Sequence, residues 1–364
     1  MSDLQSYLEP NRWTYRHVGH MGAPGEQATA PEPIEPGAFT AETGLFWQSE
    51  SFPSQAYEWF ALSFQARAEQ PAYWAATFFN DDGEMIVPDH YGGIDPSADW
   101  ADYGMCFRGK VGAMACRLRF HAFCAPAHFR RPRLRRVSRQ EVHRWADELW
   151  DRMPDMDYDP PAARFEHLSL TAEKLRLGQQ LKIVFLGDSV VNDFGSGPVD
   201  VLIEEQYENA SIQAVTSVTS GGNCQRYAQE GNVQRFLLSH TPDLVIIGGI
   251  SHQGDVEPIR DVIAQARQQR PDLEFLLTTP APMPVVDPKE EKAAEQQAAW
   301  ENWPEKLAEL AGSENVACLD LTGLAASYLA ANDLDARWLL RDSHHANHRG
   351  RQLLARILER HFAQ

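Results

Sequence analysis

At 364 residues, 43% hydrophobic and 23% charged, the chain is long enough for two domains, each with its own buried core. A net charge of −18 excludes a general nucleic-acid binder, because contacting phosphates needs a basic face. No segment approaches the ~20 apolar residues that span a bilayer.

No basic-then-apolar leader opens the chain, so the sequence as given reads as cytoplasmic; a secreted or periplasmic protein whose leader had been removed would read the same. The five cysteines, Cys106, Cys116, Cys124, Cys224 and Cys318, form neither a paired framework nor a CxxC metal knuckle. Free buried thiols are expected.

Residues 1–35, rich in Pro, Gly and polar side chains, read as an extended segment lying over a surface. From 36 to 140 the pattern is one of short strands. Trp59, Ala61 and Ser63 alternate with Phe60, Leu62 and Phe64. The run from Tyr73 to Phe79 enters Asn80-Asp81-Asp82-Gly83, a hairpin-turn signal, and Glu84-Met85-Ile86-Val87 follows. Residues 114–123 alternate again. This grammar predicts an antiparallel β-sandwich, jelly-roll-like in form.

Arg130, Arg131, Arg133, Arg135, Arg136 and Arg139 make a basic cluster, which reads either as a hold for an acidic polymer or, more simply, as a solvated edge strand. Residues 141–180 read as a helical connector, stiffest at Pro160-Pro161.

From 181 to 364 the periodicity changes. Ile183-Val184-Phe185-Leu186 is a continuous apolar run of the kind a doubly covered parallel strand requires. Further strands are predicted over 212–218, 244–247, 273–278 and 316–321. Helices are predicted over 199–207, 232–239, 256–269, 291–310, 324–331 and 350–361. Alternating strands and helices predict a three-layer α/β/α domain on a flavodoxin-like parallel sheet.

In such sheets ligands bind beyond the carboxyl ends of the strands, so the residues following each apolar run carry the chemistry. They are Gly187-Asp188-Ser189, Ser220-Gly221-Gly222-Asn223, Gly248-Gly249-Ile250-Ser251-His252 and Asp342-Ser343-His344-His345-Ala346-Asn347. A serine hydroxyl becomes a useful nucleophile only when a base takes its proton, and histidine suits that task at neutral pH. A carboxylate then holds the ring's tautomer. Asp342 and His345, three residues apart on one loop or helical turn, could both face Ser189, and glycine-rich turns can present N–H groups to an oxyanion.

These blocks resemble the SGNH, or GDSL, hydrolase superfamily of serine esterases. Gly187-Asp188-Ser189 matches its first block, and Gly221 or Gly222 the glycine of its second. Asp342, His345, Asn347 and Gly350 match the spacing of its last block, with Ala346 where proline is usual. The likeness covers about 181–364. It implies Ser189 as nucleophile, His345 as base and Asp342 as the orienting acid. The oxyanion would be held by the backbone N–H groups of Ser189 and of Gly221 or Gly222.

The family's third block reads Gly-x-Asn-Asp, whereas this chain has Gly249-Ile250-Ser251-His252. Loss of such an asparagine donor costs about 2.7–4 kcal/mol of transition-state stabilisation. Ser251, Asn192 or Asn223 could stand in for it.

Other readings compete at several positions. Asp188 reads as a helix cap more readily than as an acid. His344 rivals His345, and His344 with His348 has the spacing of a metal pair, but no third ligand cluster is evident, so no metal or other cofactor is expected. His252 and Asn223 are candidates for contact with substrate; His252 reads equally as a satisfied loop histidine. Trp59, Phe60, Phe64, Tyr73, Trp74, Phe78 and Phe79 could stack on sugars, but alternating aromatics in a sandwich are more often core.

The resemblance implies an ester hydrolase that removes a small acyl group, such as acetyl, from a carbohydrate or other small ester, without nucleic acid or membrane. An O-acyltransferase with the same triad, or a glycan-binding protein with a decayed esterase domain, are the alternatives.

Overall fold

A computed structural model of the chain describes residues 4–18, 24–122, 124–252, 254–281 and 301–364. There are two compact units, Met1–Trp145 and Ala146–Gln364, and the boundary falls inside the helix Arg139–Trp150.

The first unit contains β1 (Trp13–Val18), β2 (Pro24–Gln27), β3 (Ala38–Ala41), β4 (Leu45–Ser49), β5 (Phe52–Pro53) and β6 (Trp59–Ala68). It continues with β7 (Ala72–Phe79), β8 (Met85–Ile94), β9 (Ser97–Arg108), β10 (Ala115–Ala122) and β11 (Ala127–Val137). Two four-stranded antiparallel sheets, ordered β5-β10-β7-β8 and β3-β11-β6-β9, are accompanied by a three-stranded one, β2-β1-β4. The Asn80–Gly83 turn joins β7 to β8 as the sequence suggests, with Gly83 at φ 76°.

Side chains of both four-stranded sheets meet in one apolar cluster, because strand residues two apart share a face. Phe60 and Phe64 of β6, Trp74 and Phe78 of β7, Phe120 of β10 and Phe129 of β11 all enter it. Phe120 stacks on Trp13 at 5.2 Å and on Phe129 at 4.6 Å. Trp59, Phe60, Phe64, Trp74 and Phe78 are therefore buried, and only Tyr73 and Phe79 are half-exposed.

Two expectations need correction here. Residues 1–35 are not simply extended chain: β1 pairs with β4, and Leu4, Leu8 and Trp13 are buried in the core cluster. Large apolar side chains spaced among polar ones gave too weak a period to show this. Nor is the arginine-rich strand β11 a solvated edge. It pairs with β6 along its length and with β3 over Ala127–Arg130, and beyond that Gln5 bonds to Pro132 O and Leu134 N. Carboxylates answer its charges: Glu35 meets Arg130, Glu141 meets Arg135 at 2.5 Å and Glu58 meets Arg136 at 2.8 Å.

All five cysteines are free, with Cys116 and Cys224 buried but Cys124 exposed, against the expectation of burial.

The second unit has one parallel sheet of β12 (Gln180–Gly187), β13 (Ser211–Val218), β14 (Leu244–Ile247), β15 (Glu274–Thr278) and β16 (Ala317–Leu319). Its order is β13-β12-β14-β15-β16, so strand order reverses at β12. The apolar run Ile183–Leu186 lies fully buried within it, as a strand covered on both faces must.

Helices Val199–Glu205, Glu257–Gln269, Leu321–Ala331 and His348–Phe362 fall where the period predicts, and Asn232–Phe236 is followed by a 3-10 turn. The helix expected over 291–310 is seen as Trp303–Glu314; its first part lies outside the described residues. The expected connector is in part integral to this unit. Leu168 and Leu175 are buried, and the Glu274 carboxylate accepts from Leu170 N and Thr171 N, both at 2.8 Å.

His361, 3% exposed, faces the Tyr158 hydroxyl at 3.0 Å. Burial, helped by Arg164, pushes its pKa down to about 4. An unfolded histidine titrates near ~6.5, so between those values the unfolded chain holds a proton that the folded chain lacks, and stability falls as pH drops through that window. The urea midpoint should therefore be lower at pH 5 than at pH 7, and His361→Gln should shrink the difference. An identical difference in the variant would contradict this.

Candidate active site

Strand β12 ends in Gly187, where an added Cβ would fall 2.3 Å from Gly248 O and 2.6 Å from Val191. Only glycine lets β12 and the strand-end of β14 approach so closely. Asp188 follows, 1% exposed, as the N-cap of the helix Ser189–Gly195. Its Oδ1 accepts from Val190 N at 2.9 Å and Val191 N at 3.4 Å. Its Oδ2 accepts from both the backbone N–H and the hydroxyl of Ser251, each at 2.8 Å. Asp188 is thus a cap and a tie between the loops after β12 and β14. Gly249, at φ +112°, is required because a Cβ there would sit 2.7 Å from that carboxylate.

Capping leaves Ser189 at the first turn of the helix, at the point where strand order reverses. Its hydroxyl lies 2.8 Å from His345 Nε2, although the two residues are 156 positions apart. His345 Nδ1 lies 2.8 Å from Asp342 Oδ2. The other Asp342 oxygen accepts from His344 N at 3.0 Å and His345 N at 2.8 Å, which closes a tight turn around the carboxylate.

Burial alone would raise the Asp342 pKa. The hydrogen bond and charge of His345, the His344 N–H and the Arg341 guanidinium together hold it well below the usual carboxylate range. With Asp342 ionised, Nδ1 of His345 carries the proton and Nε2 is left to accept from Ser189.

The loop bearing Asp342 and His345 is pinned at both ends. Arg341 N donates to His345 O at 2.9 Å, and Asn347 N to Leu339 O at 2.9 Å. Asn347 caps the helix His348–Phe362 through Arg349 N and Gly350 N, while its Nδ2 reaches Trp338 O and Leu340 O. Gly350 is obligatory, since a Cβ would fall 2.4 Å from Leu339 O.

The remaining sequence candidates separate. Gly222 N–H closes a turn onto Thr219 O at 2.8 Å, so it is not available to an oxyanion. Among the described residues no group accepts from the N–H of Gly221 or of Ser189. Ser251 donates its hydroxyl to Asp188 Oδ2 at 2.8 Å. Asn223 caps the short helix Cys224–Tyr227 and donates to Ser251 O at 3.1 Å, linking the second and third loops. Asn192 is 2% exposed, one turn into the serine's helix.

His252, 5% exposed, accepts from Cys224 N at 3.3 Å and stacks on Trp303. Burial lowers its pKa, against the pull of Asp188. Its ring is thus partnered within the fold. His344 bonds Ser343 and lies beside His345, ring centroids 4.1 Å apart. The metal-ligating atoms that converge are those of Asp342, His344 and His345, within 4.8 Å, and not the His344 and His348 pair. Two of those three residues already bond to each other.

Sequence reasoning missed two supports. Tyr227 OH donates to Gly187 O at 2.5 Å and accepts from Thr219 N at 3.0 Å, joining the first and second loops. Asp193, in the same helix as Ser189, is buried between Arg341 and Arg351 at 2.7 and 2.6 Å. The signal for Asp193 was present, since a carboxylate among Val190, Val191 and Phe194 in a buried helix demands a partner.

No protein-family model matches the chain, and no curated protein does. Solved structures similar to it include a GDSL-like lipase from Parabacteroides merdae ATCC 43184, at 16% identity and TM-score 0.39 over 49% of this chain and 93% of that one. An acetyl xylan esterase is similar at 22% identity and TM-score 0.38, over 48% of this chain and 96% of that one. A two-domain esterase active on acetylated mannans is similar at 17% identity and TM-score 0.41, over 53% of this chain and 52% of that one.

Asp188→Ala would strand the Val190, Val191 and Ser251 donors in a buried place. It should cost about 1–3 kcal/mol in urea denaturation and lower any esterase activity with it. A loss under about 0.5 kcal/mol would contradict the tie described for Asp188.

Proposed function

We propose that the second unit is a serine ester hydrolase in which Ser189 attacks the ester carbonyl, His345 takes and returns the proton, and Asp342 orients His345. The observation that carries this reading is the unbroken chain from Ser189 Oγ through His345 to Asp342, both links at 2.8 Å. The acceptor nitrogen faces the hydroxyl, and the ionised carboxylate stabilises the imidazolium that forms. The tetrahedral oxyanion is held by the backbone N–H groups of Ser189 and Gly221, both at the strand-end edge of the sheet. With Ser251 committed to Asp188, backbone donors carry most of that task.

The strand order of the parallel sheet supports flavodoxin-like layering, and two antiparallel sheets around one core support a jelly-roll-like module before it. The proposed substrate class, a small acyl group such as acetyl on a saccharide, comes from the resemblance of the residue blocks to SGNH hydrolases with an attached β-sandwich. Ser251 in place of the usual asparagine would favour a decayed esterase; the closed serine–histidine–aspartate chain weighs against it.

Hydrolysis of p-nitrophenyl acetate and of an acetylated oligosaccharide by wild type and variants tests the proposal. Ser189→Ala should lose nearly all activity, keeping only what binding and the oxyanion donors supply, and Asp342→Asn should lose about 10⁴-fold in kcat through the wrong imidazole tautomer. Equal rates for wild type and Ser189→Ala would end the esterase reading.

A further inference from the structure

The helix that carries Ser189 also carries Asp193, one turn further on, and residues four apart on a helix stand on the same side. Asp193 is buried, 1% exposed, and holds two guanidinium groups. Arg341 Nη1 meets its Oδ2 at 2.7 Å and Arg351 Nη2 meets its Oδ1 at 2.6 Å. The arginine side chains are themselves only 7% and 13% exposed.

Arg341 directly precedes Asp342. Its Nη1 also donates to Ala346 O at 2.6 Å, while its backbone N–H donates to His345 O at 2.9 Å. One arginine therefore holds the loop on both sides of the Asp342–His345 turn and anchors it to the nucleophile's own helix.

A buried ion pair is weak evidence of stabilisation, because desolvating the charges offsets their attraction; its better attested use is to select one geometry among several. Both bonds leave the one Nη1 nitrogen, whose two N–H donors form a fork fixed in the guanidinium plane, one on the carboxylate and one on the carbonyl, whereas the three donors of an ammonium rotate.

We infer that Asp193, acting through Arg341, is a positioning residue that sets the distance between His345 Nε2 and Ser189 Oγ. The inference rests on the reading of Ser189, His345 and Asp342 given above. Without Arg341 the loop still closes around Asp342, but nothing ties it to the helix of Ser189 through Asp193. The base then wanders relative to the hydroxyl. Misplacement of a catalytic group by about 1 Å costs roughly 10²-fold in rate.

The test uses the full chain with Arg341→Met, which removes the fork and leaves Asp193 paired with Arg351, so that the helix keeps its counter-ion. With p-nitrophenyl acetate, kcat should drop about 10²-fold while KM changes by less than about threefold. Arg341→Lys, which restores the cation but not the fork, should recover part of the loss. In proton NMR the downfield imidazole N–H resonance of His345, present in wild type, should broaden or vanish in Arg341→Met with the melting curve cooperative.

A folded Arg341→Met with wild-type kcat and an unchanged resonance would overturn the inference. Where Arg341→Met does not fold, Arg341→Lys decides: reduced kcat at native melting supports positioning, and wild-type kcat refutes it. Ser189→Ala separates the two levels. Retained hydrolysis in that variant defeats the reading of the site, whereas the resonance still reports whether Arg341 orders His345.

Discussion

A 2.8 Å hydrogen bond joins Ser189 to His345, side chains 156 positions apart, and the second unit is arranged so that this bond can form. The serine is delivered by β12, the strand at which the parallel order reverses, and by a helix whose first turn is capped by Asp188. The histidine is delivered by a loop pinned between Leu339 and Asn347. Three glycines, Gly187, Gly249 and Gly350, stand where any Cβ would strike backbone or a carboxylate at under 3 Å. Each marks a close approach that the bond depends on.

Polar groups buried around the site are used as fasteners. Asp188 accepts from four donors and binds two loops; Tyr227 binds a third. Asn223 and Asn347 each cap one helix and donate to a neighbouring carbonyl. In a water-poor setting such groups are costly when unmatched and ordering when matched, so each satisfied group narrows the conformations open to the loops. The shift of Asp342 well below the ordinary carboxylate range belongs to the same pattern: it stays ionised and keeps its two backbone donors and His345 in place.

Much of this was legible in the sequence because it is local. An apolar run ending in Gly-Asp-Ser marks a buried strand and a turn into a helix, and Asp342 and His345 are close enough in the chain to share one loop. The strand and helix order followed from hydrophobic periodicity. What could not be read was the choice among chemically similar donors. Gly221 and Gly222 differ only in which N–H closes a turn on Thr219, and Ser251 is diverted by Asp188, 63 positions away. Asp193, Arg341 and Arg351 meet across some 150 positions, so the local pattern announces that Asp193 needs a partner but not which one. In the first unit, β11 looked like a solvated edge because runs of charge usually mark one, yet its acidic partners Glu35 and Glu58 come from distant segments. The first 35 residues looked like extended surface chain because Trp13 gains its burial from distant partners, among them Phe39 of β3 and Phe120 of β10.

If His345 activates the Ser189 hydroxyl, this serine reacts with electrophiles that an ordinary one leaves alone. A fluorophosphonate probe followed by mass spectrometry of the digested protein measures this directly, since such probes phosphonylate only activated serines at a useful rate. Stoichiometric labelling of the peptide bearing Ser189, lost in His345→Ala, is expected. Labelling at another residue, or labelling of Ser189 at the same rate with and without His345, would contradict it.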